Sequence, residues 1–241
     1  ELKDIIWNKK KLMIETLKII DEYFFKLINS SGWESMDTLM SYVSSKWFWI
    51  PLYIYLIYLL WQKFPEQFVK ILCCIVILIF LADYGSVHLF KEVVERPRPC
   101  YEDIDGLRVI NECGGAYGFI SSHASNVFSL TFFVFLITRN KILFVSLFLW
   151  SVLVGYSRVY LGVHFPLDIV GGMLWGLFVS LLTYSIYYMK VKKIDLVWFI
   201  WLALVCIWNF VWPEVPAIAD VIVAVLLSLG VVFYNNFKKL K

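Results

Sequence analysis

The sequence predicts an all-α membrane protein, a polytopic bundle of six to seven transmembrane helices preceded by an amphipathic interfacial helix. Of the 241 residues, 61% are hydrophobic and the mean hydropathy is +0.73, whereas soluble proteins are about half apolar. Several apolar stretches of about 17–25 residues could each cross a ~30 Å hydrocarbon core as a helix. We therefore expect residues 46–241 to form one integral membrane domain. The net charge of +3 gives a nucleic-acid-binding role no support.

Residues 1–45 form a separate amphipathic segment. Apolar residues recur there at 4-3-4-3 spacing, at Met13, Leu17, Ile20, Phe24 and Leu27. The opposite helix face carries charge at Lys11, Glu15, Lys18, Glu22 and Lys26. Placing these charges near the bilayer centre would cost about 2.5–3.5 kcal/mol each. We therefore predict a helix lying on the membrane surface, followed by a second short interfacial helix around residues 36–43.

The predicted spans cover about residues 47–61, 68–90, 121–138, 142–156, 166–189, 194–211 and 215–234. Tryptophans near both ends of the first span are typical of an aromatic belt, and Pro213 and Pro216 separate the last two. Antiparallel threading places the end of the second span, the start of the third, the end of the fourth and the start of the fifth on one membrane face.

The opposite face collects basic residues, at Lys63, Arg139, Lys141, Lys190, Lys192, Lys193, Lys238, Lys239 and Lys241. The positive-inside rule makes that face cytoplasmic, so the shared face would look toward the periplasm or the cell exterior from the inner membrane. The lysines of the N-terminal segment oppose this orientation, since an odd number of spans places them outside as well.

Three polar segments lie at the shared face: residues 91–99 (KEVVERPRP), 120–123 (ISSH) and 157–168 (SRVYLGVHFPLD). Arg98 and Arg158 can each hold a phosphate group through two hydrogen bonds, and Lys91 adds a point charge. The alternative for the basic residues of the first segment is contact with lipid headgroups. Pro97 and Pro99 favour a phosphate site because they stiffen the backbone around Arg98. We expect Arg96 to serve the surface.

Ser121 and Ser122 are predicted to cap the third span, whose free backbone N–H groups and dipole form a phosphate cradle. His123 would lie in its first turn, facing the bound anion, unless this is a plain cap with a surface histidine. Asp168 follows His164 by four residues and could hydrogen-bond one ring nitrogen, leaving the other as a nucleophile. An ion pair at the start of a helix is the alternative.

In order and spacing, these segments resemble the type 2 phosphatidic acid phosphatases, the membrane branch of a superfamily that includes vanadium haloperoxidases. Lys91 and Arg98 occupy the positions of the family pattern KxxxxxxRP. The family's Pro-Ser-Gly-His motif matches residues 120–123 with Ile120 for Pro and Ser122 for Gly, which keeps the backbone donors. The pattern SRxxxxxHxxxD is present without departure.

The resemblance implies a lipid phosphatase that needs no metal and no other cofactor. It implies a phosphohistidine intermediate on His164, a leaving alcohol protonated by His123, and a phosphoryl group held by Lys91, Arg98 and Arg158. The expected substrate is a phosphorylated membrane lipid such as a phospholipid phosphate, undecaprenyl pyrophosphate or lipid A. The alternatives are an anion or lipid transporter and an inactive phosphate-binding scaffold. Transporters, however, place their polar groups near the bilayer midplane.

Two further features leave alternatives open. Cys100 and Cys113 flank a polar loop and are candidates for a disulfide on the outer face, or else two free thiols. Asp83 lies deep in an apolar run, where ionisable residues are usually functional. A structural hydrogen bond to a neighbouring span would explain Asp83 equally well.

Overall fold

The computed structural model describes residues 2–188, 200 and 202–207. Its helices are α1 Leu2–Asn29, α2 Glu34–Ser44, α3 Ile50–Lys63, α4 Phe68–Gly85, α5 Glu92–Val94, α6 Ser122–Thr138, α7 Lys141–Tyr160 and α8 Pro166–Tyr188. Residues 202–207 are helical and pack against α4. The predicted spans 194–211 and 215–234 otherwise lie outside the described residues.

Three helical stretches in the described part are long and apolar enough to cross a membrane: Pro65–Val94, Lys141–Tyr160 and Pro166–Tyr188. A fourth is formed if Glu34–Ser44 and Lys46–Lys63, which meet at an angle of 67°, are one broken span. Helix α6 has 17 residues and is therefore about 25 Å long. It packs against α4, α7 and α8. The expected all-α membrane bundle is confirmed.

The second span continues further than its predicted end near residue 90. After Gly85 the chain forms a π-helical segment, Ser86–Lys91, and then the short helix α5. The helix ends at Glu95, whose positive φ of 50° breaks the helical geometry. Helix α7 likewise extends to Tyr160, so Arg158 lies within its last turn.

The contact between α6 and α8 fixes the geometry of the site end. A Cβ atom on Gly172 would lie 2.8 Å from the carbonyl oxygen of Ser121, and one on Gly176 would lie 2.9 Å from that of Ser125. These two glycines therefore let the helix backbones approach closely, as in other small-residue interfaces of membrane helices. The first turn of α8 is consequently held beside the first turn of α6.

Helix α1 has an unpartnered apolar stripe and a buried polar edge. Met13, Leu17 and Leu27 remain exposed, as expected for a face that lies on lipid. Asp21 and Phe25 are buried instead, and the ring of Phe25 lies 5.2 Å from that of Phe165 in the α7–α8 turn. The N-terminal segment thus packs directly on the elements that form the site.

Candidate active site

All eight predicted site residues converge at one end of the bundle. Lys91 ends the π-helical segment, and Arg98 follows α5. Ser121 caps α6, and Ser122 and His123 lie in its first turn. Arg158 lies in the last turn of α7, His164 in the turn that follows, and Asp168 in the first turn of α8. The antiparallel order of α4, α6, α7 and α8 produces this convergence.

The centre of the site is a buried pair formed by His164 and Asp168. Nδ1 of His164 lies 3.2 Å from Oδ2 of Asp168, which also accepts a hydrogen bond of 2.9 Å from the backbone N–H of Phe165. On the other side of the ring, Nη1 of Arg98 lies 3.1 Å from Nε2 of His164. A guanidinium can only donate, so Nε2 accepts and Nδ1 carries the proton. The lone pair of Nε2 therefore faces the cationic side of the site.

The electrostatic environment keeps this imidazole neutral. Burial lowers the pKa of His164 well below its usual value of 6.5, and the positive charges of Arg98, Arg158 and Lys91 lower it further. A neutral imidazole is the form that can act as a nucleophile. The site thus holds its central histidine in the reactive protonation state at neutral pH.

Arg98 is fixed in place by the loop around it. Its Nε donates a 2.7 Å hydrogen bond to the carbonyl oxygen of Gly115, and Nη1 donates one of 3.3 Å to that of Val163. The backbone N–H of Arg98 also donates to the carbonyl oxygen of Ala116 at 3.2 Å. Burial lowers the pKa of Arg98, although an arginine stays charged at neutral pH. The guanidinium N–H groups of Arg98 are therefore held in position before a phosphate binds.

The loop that holds Arg98 is closed by a disulfide. Cys100 and Cys113 are bonded, with their Cα atoms 6.3 Å apart, a separation in the usual range for this bond. The segment joining them includes Arg108, whose guanidinium binds Asp37 of α2 at 2.7 Å. The disulfide and this ion pair tie the loop to the N-terminal helices.

The start of α6 supplies the second half of the site. Ser121 is the N-cap, and its Oγ accepts from the N–H of Ala124 at 3.5 Å. Lys91 Nζ donates to Oγ of Ser122 at 2.7 Å, and Oγ of Ser86 lies 2.5 Å from the same atom. The π-helical segment thus places Lys91 beside free backbone N–H groups, where an anion binds well.

Arg158 completes the ring of cations from the side of α7. Its Nη1 hydrogen-bonds Oγ of Ser44 at the end of α2. Its Nε is buried and has no hydrogen-bond partner among the described residues. A buried guanidinium N–H without a partner is costly, and a bound phosphate oxygen would satisfy it.

Arg96 belongs to the site, so the predicted surface role for this residue is wrong. Its side chain is only 18% exposed and bridges two carboxylates. Nη1 lies 3.1 Å from Oδ1 of Asp168, and Nη2 lies 2.7 Å from Oδ2 of Asp21. Asp21 in turn accepts from the backbone N–H of Leu167 at 2.8 Å. The sequence around Arg96 does not indicate this role, because the partner Asp21 lies on α1, far from Arg96 in the sequence.

Asp21 is therefore an internal residue of the site region and not a surface acid. Burial raises its pKa, and the hydrogen bond from Arg96 counteracts part of that increase. The guanidinium of Arg96 also lies 4.1 Å from the centre of the Phe165 ring, a favourable cation–π distance. Arg96 thus links Asp21 of helix α1 to Asp168 of the His164–Asp168 pair.

His123 faces a large apolar cavity that extends from the first turn of α6. Its side chain is exposed and lines a cavity of about 470 Å³, together with Ser122. The remaining wall consists mainly of apolar side chains from α3, α4, α6 and α7, such as Leu56, Ile79 and Val154. The arrangement can hold a phosphate at the helix ends and hydrocarbon in the space beside it.

Comparisons with known proteins agree with this arrangement. The family model of the PAP2 superfamily matches residues 69–192. A lipid A 4'-phosphatase of Porphyromonas gingivalis is 33% identical over 180 residues, covering 72% of this chain and 75% of the relative. A lipid A 4'-phosphatase of Bacteroides thetaiotaomicron is 35% identical over 185 residues, covering 72% of this chain and 80% of the relative.

A solved structure shares the fold. The transmembrane PAP2-type phosphatidylglycerolphosphate phosphatase from Bacillus subtilis superposes with a TM-score of 0.57 at 24% identity, covering 74% of this chain and 89% of that one. The matched family region contains Lys91, Arg98, Arg158 and the His164–Asp168 pair. The chain therefore belongs to the PAP2 superfamily and is a membrane phosphatase.

Proposed function

We propose that this protein removes a phosphate group from a membrane lipid through a phosphohistidine intermediate on His164. The observation that carries the proposal is the neutral, buried His164, held by Asp168 with its unprotonated Nε2 beside Arg98. Lys91 and Arg158 lie on the other sides of the same space, beside the N-terminus of α6. Such a ring of donors neutralises the charge that develops on the phosphoryl oxygens.

The reaction would take two steps. Nε2 of His164 attacks phosphorus and the phosphorus–oxygen bond to the lipid breaks, while His123 protonates the departing alkoxide. His123 then takes a proton from water, whose oxygen attacks phosphorus and breaks the bond to Nε2, so that inorganic phosphate leaves and neutral His164 is restored. Asp168 holds the Nδ1 proton throughout and stabilises the positive charge on the phosphorylated ring. Ser121 and Ser122 supply the capped helix end that faces the phosphate oxygens.

The cavity beside His123 supports a lipid as the leaving group. Its wall is largely apolar and lies within the membrane-spanning helices, so the hydrocarbon of a lipid would stay out of water. The similarity to two lipid A 4'-phosphatases favours a phosphorylated glycolipid such as lipid A over a phospholipid phosphate or undecaprenyl pyrophosphate. The substrate would be bound at the membrane–water interface.

The site would face the periplasm or the cell exterior. The opposite ends of α6 and α7 carry Arg139 and Lys141, which the positive-inside rule places in the cytoplasm. Single cysteines introduced at Asp105 and Lys192 test this in intact cells with a membrane-impermeant thiol reagent. Labelling at position 105 alone is expected, and labelling at position 192 alone would reverse the orientation.

A phosphate-release assay on purified protein in detergent tests the function. The substrates are lipid A, phosphatidylglycerol phosphate, phosphatidic acid and undecaprenyl pyrophosphate. We expect wild type to hydrolyse at least one of them, lipid A fastest, and His164→Ala to be inactive. His88→Ala is the matched control, because this partly exposed histidine pairs with Glu92 outside the site. Hydrolysis of none of the four by wild type would refute the proposal.

A further inference from the structure

The apolar cavity contains a polar pair below the phosphate site. Asp83 of α4 and Asn126 of α6 both line the cavity, and Nδ2 of Asn126 lies 3.1 Å from Oδ1 of Asp83. Asp83 lies within a membrane-spanning helix, where burying an ionisable side chain costs free energy and such residues usually have a function. This hydrogen bond between α4 and α6 is the structural role that the sequence left open for Asp83, and it does not use Oδ1 of Asn126, which has no partner within the described residues.

Two residues that line the cavity each carry a buried polar atom without a partner among the described residues. Oδ1 of Asn126 and Nε1 of Trp150 are buried and have no hydrogen-bond partner within the described part of the chain. Trp150 lies on α7 and lines the same cavity. Oγ of Ser151 donates to the carbonyl oxygen of Val127 at 3.1 Å, so Trp150 and Asn126 lie at nearly the same depth. Side chains that carry an acceptor, a donor and a carboxyl group therefore lie at one level of the cavity wall.

We propose that Asp83, Asn126 and Trp150 form an inner polar subsite that binds a hydroxyl or amide group of the lipid substrate. The inference rests on the proposed function and specifies the class of lipid. Asn126 follows Ser122 by four residues on one helix, so the two side chains are about 6 Å apart along the axis. The bound group would therefore be separated from the phosphate by only a few bonds.

This spacing selects between classes of phosphorylated lipid. An acylated amino sugar carries hydroxyl, ester or amide groups on the carbons next to the phosphorylated one. The carbons beside the phosphate of a prenyl phosphate carry only hydrogen and methyl groups, and these would leave the polar wall unpaired. A site built to pair with polar groups discriminates strongly against an analogue that lacks them. The subsite therefore fits a lipid that carries polar groups beside its phosphate, such as a phosphorylated, N-acylated sugar lipid, and does not fit a prenyl phosphate.

The test compares lipid A with farnesyl phosphate, using purified full-length protein. Asn126→Leu keeps the side-chain volume and removes both amide functions. We expect it to lower kcat/KM about 10- to 100-fold on lipid A and less than about 3-fold on farnesyl phosphate. Thr131→Val is the matched control, since Thr131 is buried between α6 and α7, does not line the cavity, and should leave both rates unchanged.

A second variant protects the test against misfolding. Asp83→Asn keeps the shape of the pair and removes its charge, and it should show the same selective loss if Asn126→Leu is not recovered folded. Equal losses on both substrates, or no loss on lipid A, would overturn the inner subsite while leaving the phosphatase function standing. Hydrolysis of neither substrate by wild type would overturn the proposed function, and the subsite with it.

Discussion

Arg96→Gln should slow catalysis although Arg96 does not contact the phosphate site directly. The arginine holds Oδ1 of Asp168 at 3.1 Å while His164 and the N–H of Phe165 share Oδ2. Without Arg96, the carboxylate loses the guanidinium that holds Oδ1 and can rotate away from the imidazole. His164 would then be oriented less well for attack, whichever lipid or alcohol leaves.

The size of the effect follows from burial. Removing one partner of a buried ion pair costs about 3–5 kcal/mol. Asp168 is 0% exposed, but the Arg96 side chain is 18% exposed, so water can replace part of the lost interaction. If about 1.4–2.8 kcal/mol of the cost is felt in the transition state, kcat falls about 10- to 100-fold. Arg96→Lys should recover only part of this loss, because an ammonium cannot bridge Asp21 and Asp168 as a guanidinium does.

The assay measures kcat and KM with lipid A and with p-nitrophenyl phosphate. We expect similar losses of kcat on both and little change in KM, since the effect acts through the nucleophile. Asp21→Asn should cost about 10-fold alone and nothing further in the Arg96→Gln background. Lys26→Gln is the control, because Lys26 pairs with Glu22 on the exposed side of α1. A loss confined to KM, or additive effects of the two variants, would refute the reasoning.

Three further outcomes are expected. His164→Ala should abolish hydrolysis of both a lipid phosphate and p-nitrophenyl phosphate. His123→Ala should lower the rate about 10²–10⁴-fold on the lipid and much less on the aryl ester. Equal losses of rate on both substrates for the two variants would contradict the assigned roles. Histidine side-chain NMR should find His164 neutral at pH 6.5, since its pKa is lowered. Arg98→Gln should raise that pKa. A wild-type ring that is half protonated at pH 6.5 would contradict the electrostatic argument. Mass spectrometry of unreduced, alkylated protein should find Cys100 and Cys113 unmodified; alkylation of both would exclude their disulfide.

The sequence predicts the site end of this bundle well because the relevant information is local. Hydropathy defines α4, α6, α7 and α8 within a few residues, and antiparallel threading then brings Lys91, Ser121, Arg158 and His164 to one face. The four-residue step from His164 to Asp168 is a property of one helix start, and it is visible in the sequence without knowledge of any other segment.

The contacts made by the N-terminal segment could not be predicted in the same way. Asp21 reaches Arg96 and Ser44 reaches Arg158 across wide sequence separations, and neither pair has a periodic signature. The pattern of α1 indicates an apolar stripe and a charged face, but it does not show that one acid at the boundary is buried. The packing of Phe25 against Phe165 and the hydrogen bond from the N–H of Leu167 hold that acid at the site.

The π-helical segment Ser86–Lys91 has a consequence for how this site tolerates changes in chain length. A π turn holds one more residue than an α turn, so everything after it is rotated by about 100° relative to a continuous α-helix. That rotation lets both Ser86 and Lys91 reach Oγ of Ser122. Deleting one residue inside the segment would restore a regular helix and swing the lysine toward lipid. Deleting an exposed residue of the loop between Cys100 and Cys113, such as Asp105, would shorten the loop without changing the register of a helix. Helix register, and not only residue identity, therefore constrains which insertions and deletions this site can accept.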